Sequence, residues 1–314
     1  MTKKEPAKKT PKKTQQPDIV AENTKLKLKL VWGQVEKEYN QVLRNSAKNV
    51  KAQGFRKGKA PLKVVEEKLG RERLVNKVLE NLIPPQYEEL IEQENKQPLT
   101  QPEVSPISMK WGEDWELEIQ IAEKPTIKLG SYQKSVKKGL KAALKQLKEQ
   151  KSQADKAAKD DKKSPKPTAE QLESQVKEAK LHQIFKALVE DTQPRIPELL
   201  LKEETKREIQ RMAKELEKIG LSLDDYLARR NQKFEEMSSQ VAAQVLGQLQ
   251  LEFVLREIEE VEKIKVTDQD KIAELDKIKD KKLRQQIEKD HHYLQHLIKQ
   301  VGRRKLIDQL LEIK

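Results

Sequence analysis

A short basic loop contains the residues whose types and spacing best suggest chemistry. It has the sequence GFRKGKAP over residues 54–61. Its candidate binding residues are Gly54, Phe55, Arg56, Lys57, Gly58 and Lys59. A large apolar side chain in such a loop needs a reason, because most side chains of this kind are buried. Three interpretations follow: a nucleotide phosphate loop, a contact tip for a polyanion, or an ordinary solvated turn.

The phosphate-loop interpretation fails on spacing. A P-loop has the pattern G-x-x-x-x-G-K-[ST]. Here the interval between Gly54 and Gly58 is one residue too short, and Ala60 occupies the place of the hydroxyl side chain that would bind Mg²⁺. The loop also follows a predicted helix instead of a strand. We therefore predict no nucleotide site.

The polyanion interpretation matches the residue types. Arginine and lysine side chains can bind phosphates, Phe55 can stack on a base, and the glycines let the backbone approach closely. The alternative is a lysine-rich turn in which Phe55 packs back onto its own domain. The residues alone leave both interpretations open.

Enzyme and metal chemistry find little support. His291, His292 and His296 are close in sequence, but no third ligand has clear spacing and the chain has no cysteine. No nucleophile motif of the G-x-S-x-G kind is present. The sequence therefore predicts no catalytic residue, no metal site and no cofactor.

Composition favours long amphipathic helices over one large core. Of the 314 residues, 37% are charged and 35% hydrophobic, and only 12 are aromatic. The basic N-terminus lacks the apolar segment of a secretory signal, and no run approaches the roughly 18 apolar residues of a membrane span. We therefore expect a cytoplasmic protein without a membrane partner.

Positive charge is concentrated in two segments. The net charge is +13. Residues 1–19 contain six lysines against two carboxylates, a net +4, and residues 131–168 contain twelve lysines against four carboxylates, a net +8. We expect both segments to attract polyanions such as RNA.

The N-terminal third predicts a small α+β domain over residues 20–124. In the strand predicted at 25–32, Leu26, Leu28, Leu30 and Trp32 share one face and alternate with lysines. Further strands are predicted at 104–111 and 115–121, which gives a three-stranded sheet. The predicted helices are 34–49, a helix that starts at Pro61 and stops at Gly70, 71–83 and 85–95, the last two separated by Pro84-Pro85.

The rest of the chain predicts helices only. A basic tail is expected at 1–19, a linker with a lysine-rich helix (133–150) at 125–168, and a helical domain at 169–314. The fold class is thus an α+β N-terminal domain followed by a mostly all-α, elongated C-terminal cradle. The helices predicted in the last domain are 169–191, 197–219, 223–229, 231–263, 268–289 and 290–313, with Thr267 or Asp268 as a cap.

The loop and its flanks resemble a known family. GFRKGKAP resembles the ribosome-binding signature of the bacterial trigger factors, and the stretches IPPQYEEL and WGEDWELE, which follow it, are similar to the same N-terminal domain. PRIPELLLKEETKREIQRMAKELEKIG is similar to the start of that family's C-terminal domain. The resemblance covers roughly residues 20–135 and 170–314.

The resemblance implies an ATP-independent, ribosome-associated chaperone. Phe55, Arg56 and Lys57 would dock on ribosomal RNA and the ribosomal protein at the tunnel exit, while Gly54, Gly58 and Lys59 would shape the tip. Nascent or unfolded polypeptides would be the other partners, and a homodimer of the free protein is left open. The family's isomerase domain would be missing, because residues 151–168 contain no glycine or aromatic residue. The alternatives are an RNA-binding or ribosome-assembly protein and a residual prolyl isomerase.

Overall fold

Two compact units make up the chain. The α+β unit comprises Ala21–Lys124 together with Pro197–Glu204, and the helical unit includes Pro125–Ile196 and Thr205–Lys314. Among the described residues, no helix has the length and apolar character needed to cross a bilayer. The computed structural model describes residues 19–157, 168–278, 280, 284, 286–287 and 290–313.

The elements of the first 124 residues are β1 (Val20–Ala21), β2 (Thr24–Leu30), α1 (Trp32–Ala47), α2 (Leu62–Leu69), α3 (Arg71–Gln93), β3 (Glu103–Ser108) and β4 (Trp115–Ile121). The α+β unit contains an antiparallel three-stranded sheet in the order β2-β4-β3. On β2, the buried Leu28 and Leu30 alternate with exposed lysines, as the sequence pattern predicts. The sheet packs against α1 and α3 through a core centred on Trp115, Leu117 and Ile119.

The predicted strand 25–32 is too long at its end. Trp32 is the first residue of α1, and Gly33 lies within its first turn instead of breaking the chain. The Trp32 main-chain N–H donates to Asp114 Oδ1 at 2.8 Å. Because this carboxylate accepts a bond at the helix start, the helix can begin two residues earlier than the glycine suggests.

The predicted break at Pro84-Pro85 is also wrong, since α3 runs through both prolines. Residues on both sides of them pack against the same core, among them Val78, Ile83 and Tyr87. Because proline has no N–H, the main-chain carbonyls of Glu80 and Asn81 receive no helical hydrogen bond. Both residues are exposed, so water can bind these carbonyls instead. Packing thus outweighs the local cost of the prolines.

The predicted strand 104–111 ends early. β3 stops at Ser108, and its register against β4 shifts between Pro106 and Ser108. The shift leaves Ile107 exposed, and Trp111 lies in the turn before β4. A proline in this edge strand cannot donate to a ladder, which explains the irregular pairing.

The helical unit is built around a second core. Tyr132, Val136, Ile184, Leu188 and Val254 are among its buried members. The Thr267 side chain caps one helix by accepting from the Asp270 N–H, as predicted. The elements that follow residue 124 are α4 (Tyr132–Ala157), α5 (Ala169–Thr192), β5 (Ile196–Pro197), α6 (Glu198–Lys218), α7 (Leu223–Arg229), α8 (Phe234–Glu262), α9 (Asp268–Asp276) and α10 (His291–Glu312).

Three boundaries in this part differ from prediction or lie outside the described residues. α4 continues past residue 150 to Ala157, because alanine, lysine and glutamine favour helix even without apolar residues to bury. α9 ends at Asp276, so the predicted helix 268–289 is too long. Residues 158–167 of the predicted linker 125–168, and all but the last residue of the predicted tail 1–19, lie outside the described residues. The α+β and helical fold classes are confirmed.

Candidate functional site

Two consecutive tight turns form the basic loop. The Phe55 N–H donates to the Ala52 carbonyl at 3.1 Å, and the Lys59 N–H donates to the Arg56 carbonyl at 3.0 Å. Gly54 and Gly58 occupy the third position of these turns with φ of 80° and 78°. A positive φ at this position defines a type II turn and favours glycine. The glycine spacing that resembles a nucleotide loop thus reflects two repeated turns.

The loop presents an aromatic ring among unpaired cations. Phe55 is 43% exposed. Arg56, Lys57 and Lys59 are exposed and make no side-chain hydrogen bond or ion pair with any described residue. Because their charges are not neutralised within the protein, they remain available to an anionic partner.

Sequence reasoning missed the cationic surroundings of this loop. Residues 39–65 contain no aspartate or glutamate. A carboxylate-free run of this length, which is visible in the sequence, could have identified these additional cations before the fold was known. The cations in the run are Arg44, Lys48, Lys51, Arg56, Lys57, Lys59 and Lys63.

Contacts at both ends hold the loop to the α+β unit. Ala52 is buried, and Ala60 packs against the core. The Lys68 ammonium of α2 donates to the Lys51 carbonyl. A Cβ atom added to Gly58 would lie 3.3 Å from the Lys48 carbonyl oxygen, so the loop backbone passes close to the end of α1. Both ends of the basic loop are therefore held in place, and Phe55 and the cations project from this fixed base.

A polar and aromatic cluster fixes α2, the helix that follows the loop. The Tyr39 hydroxyl donates to Glu66 Oε1 at 2.8 Å, and Arg71 Nη2 lies 3.3 Å from the same oxygen. The Arg71 guanidinium stacks over the Trp111 ring at 4.7 Å. Burial, followed by the Glu66 carboxylate, raises the pKa of Tyr39 to about 12. The hydroxyl thus keeps its proton and links α1 to α2 at neutral pH.

The helical unit exposes apolar surface of a different kind. On α6, Ile209, Met212 and Leu216 are partly exposed, and we call these three residues the apolar row. Between residues 206 and 244, only Leu227 and Met237 are buried. This part of the chain therefore has few buried side chains and leaves apolar side chains in contact with water.

An apolar groove of about 450 Å³ also lies in the helical unit. α5 and α10 form it. The lining residues are Leu172, Glu173, Val176, Lys177, Lys180 and Leu311. No group of three or more histidines or carboxylates in the described part of the chain could hold a metal ion. The exposed groups suit binding to polyanions and to apolar chains.

Two family models match this chain in sequence. A model described as bacterial trigger factor protein matches residues 12–157, and one described as the bacterial trigger factor C-terminus matches residues 156–312. The two matched regions adjoin, and together they span almost the whole sequence.

Curated relatives and a solved structure show the same similarity. The trigger factors of Streptococcus gordonii and Moorella thermoacetica are 34% and 37% identical over 99 and 98 residues, which are 32% and 31% of this chain. These segments span only 23% and 22% of the relatives. A structure described as "Promiscuous Substrate Recognition in Folding and Assembly Activities of the Trigger Factor Chaperone" matches with a TM-score of 0.59 and 14% identity, covering 96% of this chain and 99% of that one.

Proposed function

This chain belongs to the bacterial trigger factor family, and from that premise we propose that it is a cytoplasmic, ribosome-associated chaperone that works without ATP. In this proposal the basic loop docks on the ribosome at the polypeptide exit. The helical unit meets emerging chains and shields them from aggregation. The single observation that carries the proposal is an exposed Phe55 followed by three unpaired cations on a loop that is anchored at both ends.

The loop suits a ribosomal partner for physical reasons. The unpaired guanidinium and ammonium groups can replace counterions on RNA phosphates, which drives association without sequence specificity. Phe55 can stack on an unpaired base or enter an apolar site on a ribosomal protein. The fixed loop ends reduce the conformational entropy that binding costs.

The helical unit suits weak binding of many different chains. The apolar row on α6 and the groove between α5 and α10 offer modest apolar areas beside charged side chains. Small patches of this kind bind unfolded segments weakly, so a client can leave and fold. We infer that these surfaces bind clients.

We also propose that the chain is not an isomerase. The two matched regions meet at residues 156–157, which leaves no segment between them for another domain. The rival function is an RNA-binding or ribosome-assembly protein whose helices bind no clients. The two functions differ in how the full chain acts on an unfolded protein.

Suppression of aggregation tests the client half of the proposal. We expect the full chain to reduce light scattering of a chemically denatured protein diluted into buffer. Ile209→Gln/Met212→Gln/Leu216→Gln should weaken this effect several-fold, because three apolar contacts are lost while helix propensity is kept. The matched control on exposed positions of the same helix is Gln210→Ala/Lys214→Ala/Glu217→Ala.

The control variant should act like the unchanged chain. Absence of any suppression by the full chain would favour the RNA-binding rival. Equal suppression by the apolar-row variant would remove α6 as a client surface.

A further inference from the structure

Six lysines lie along one face of α4. Their spacings of three, one, three, four and three residues keep them within one side of a helix, and all six are exposed. The row is about 21 Å long at 1.5 Å per residue. We call it the lysine row, and it consists of Lys134, Lys137, Lys138, Lys141, Lys145 and Lys148.

The opposite face of α4 is packed against α5. Val136, Gly139 and Ala143 are buried on that side. A Cβ added to Gly139 would lie 2.6 Å from Ile184 Cα, so the two helix backbones are in direct contact there. Because that face is fixed, the lysine row is held outward and cannot rotate into the protein.

Most charges of the lysine row have no partner in the protein. Lys138 pairs with Asp191 at 2.8 Å, and Lys145 lies 4.0 Å from the exposed Glu149. The side chains of the other four lysines make no ion pair or hydrogen bond with any described residue. They are Lys134, Lys137, Lys141 and Lys148. These four free ammonium groups follow one another at intervals of about one, one and two helical turns, an arrangement that is complementary to a line of phosphates.

A membrane surface suits this face less well than RNA. A helix that binds a bilayer buries its apolar side among the lipid chains. On α4 that side is already occupied by α5, and among the described side chains of α4 only Leu144 is a large exposed apolar residue. The lysine row also lacks exposed aromatic rings that could stack on bases. Its lysines therefore suit binding to the phosphate backbone better than recognition of bases.

We propose that the lysine row is a second RNA contact, which binds the phosphate backbone of ribosomal RNA independently of the basic loop. This inference rests on the proposed ribosomal function and adds a separate site to it. The contact is electrostatic and independent of base sequence. It therefore strengthens ribosome binding mainly at low and moderate salt.

The test compares two full-length variants that lose the same charge. The row variant is Lys134→Gln/Lys137→Gln/Lys141→Gln/Lys148→Gln. The control, on exposed lysines of the same unit without described partners, is Lys206→Gln/Lys214→Gln/Lys218→Gln/Lys233→Gln. Affinity for purified ribosomes is measured between 50 and 200 mM salt, and circular dichroism checks that both variants keep their helices.

The row variant should bind ribosomes at least tenfold more weakly at 50 mM salt. Its plot of log affinity against log salt should be shallower by roughly 3, since about four phosphate contacts are lost. The control variant should stay within about twofold of the unchanged chain. Equal losses in both variants would overturn the inference, because general charge attraction would then explain them.

Two further measurements separate this inference from the loop proposal. A row variant with unchanged salt dependence, together with a loop variant that no longer binds, would refute only the lysine row. A loop variant that binds ribosomes normally, together with a row variant that binds them weakly, would refute only the proposal for the basic loop. Binding of the unchanged chain to phosphatidylserine vesicles as tightly as to ribosomes, abolished in the row variant, would also overturn the RNA assignment.

Discussion

Replacing Phe55, Arg56 and Lys57 together with alanine should weaken ribosome binding by about 100-fold or more. An aromatic side chain stacked on a base contributes on the order of 1–3 kcal/mol, and 1.4 kcal/mol corresponds to a factor of ten. Two lost phosphate contacts add to this effect and make the remaining affinity less sensitive to salt. Co-sedimentation with purified ribosomes measures the loss.

The loop variant should remain folded, because none of its three changed side chains belongs to the core. A matched control removes one exposed apolar residue and two exposed lysines elsewhere in the α+β unit: Leu99→Ala/Lys27→Ala/Lys37→Ala. That control should bind within about threefold of the unchanged chain. Similar losses in both triple variants would show that net charge, and not the loop, determines binding.

Replacing Gly139 with alanine should destabilise the helical unit by roughly 2–3 kcal/mol. The added Cβ would lie 2.6 Å from Ile184 Cα and 2.7 Å from the Gln183 carbonyl oxygen. Both are backbone atoms, so α4 and α5 must move apart, and overpacking of this kind costs on the order of 1–3 kcal/mol. Urea unfolding measures the change in the free energy of unfolding.

Gly247→Ala is the control for that substitution. Gly247 also lies within a helix, but nothing stands within 4 Å of an added Cβ. Here alanine should stabilise the protein by up to about 1 kcal/mol, because glycine is the poorer helix former. The two variants should therefore change stability in opposite directions. A Gly139→Ala protein as stable as Gly247→Ala would contradict the close packing of α4 on α5.

Elements whose local signals agree with their packing could be predicted from sequence. The alternation of leucine and lysine fixes the face of β2, and Gly70 ends α2 with a φ of 80°. Element boundaries could not be predicted where a contact with a residue far away in sequence determines them. Trp32 starts a helix because Asp114, 82 residues away, accepts its N–H. Packing against the core likewise stabilises α3 as one continuous helix across Pro84 and Pro85.

The same division applies to the candidate sites. The basic loop could be found because its glycines, cations and Phe55 lie together in the sequence. The concentration of lysine in residues 131–168 was visible as well, but its arrangement was not. The packing of α4 against α5, with Gly139 on Ile184 and Val136 and Ala143 buried, shows which face of α4 is covered and hence that the lysines are exposed.

Photo-crosslinking from position 55 tests the central claim most directly. Phe55 is replaced with p-benzoylphenylalanine, which keeps an aromatic ring, and the full chain is irradiated with purified ribosomes. The same replacement at Leu99, with a comparable exposure of 39%, serves as the reference. We expect crosslinks from position 55 to ribosomal RNA or protein at several times the yield seen from position 99. Ribosome-bound protein that gives equal or no crosslinks from position 55 would contradict the assignment of the loop as the docking tip.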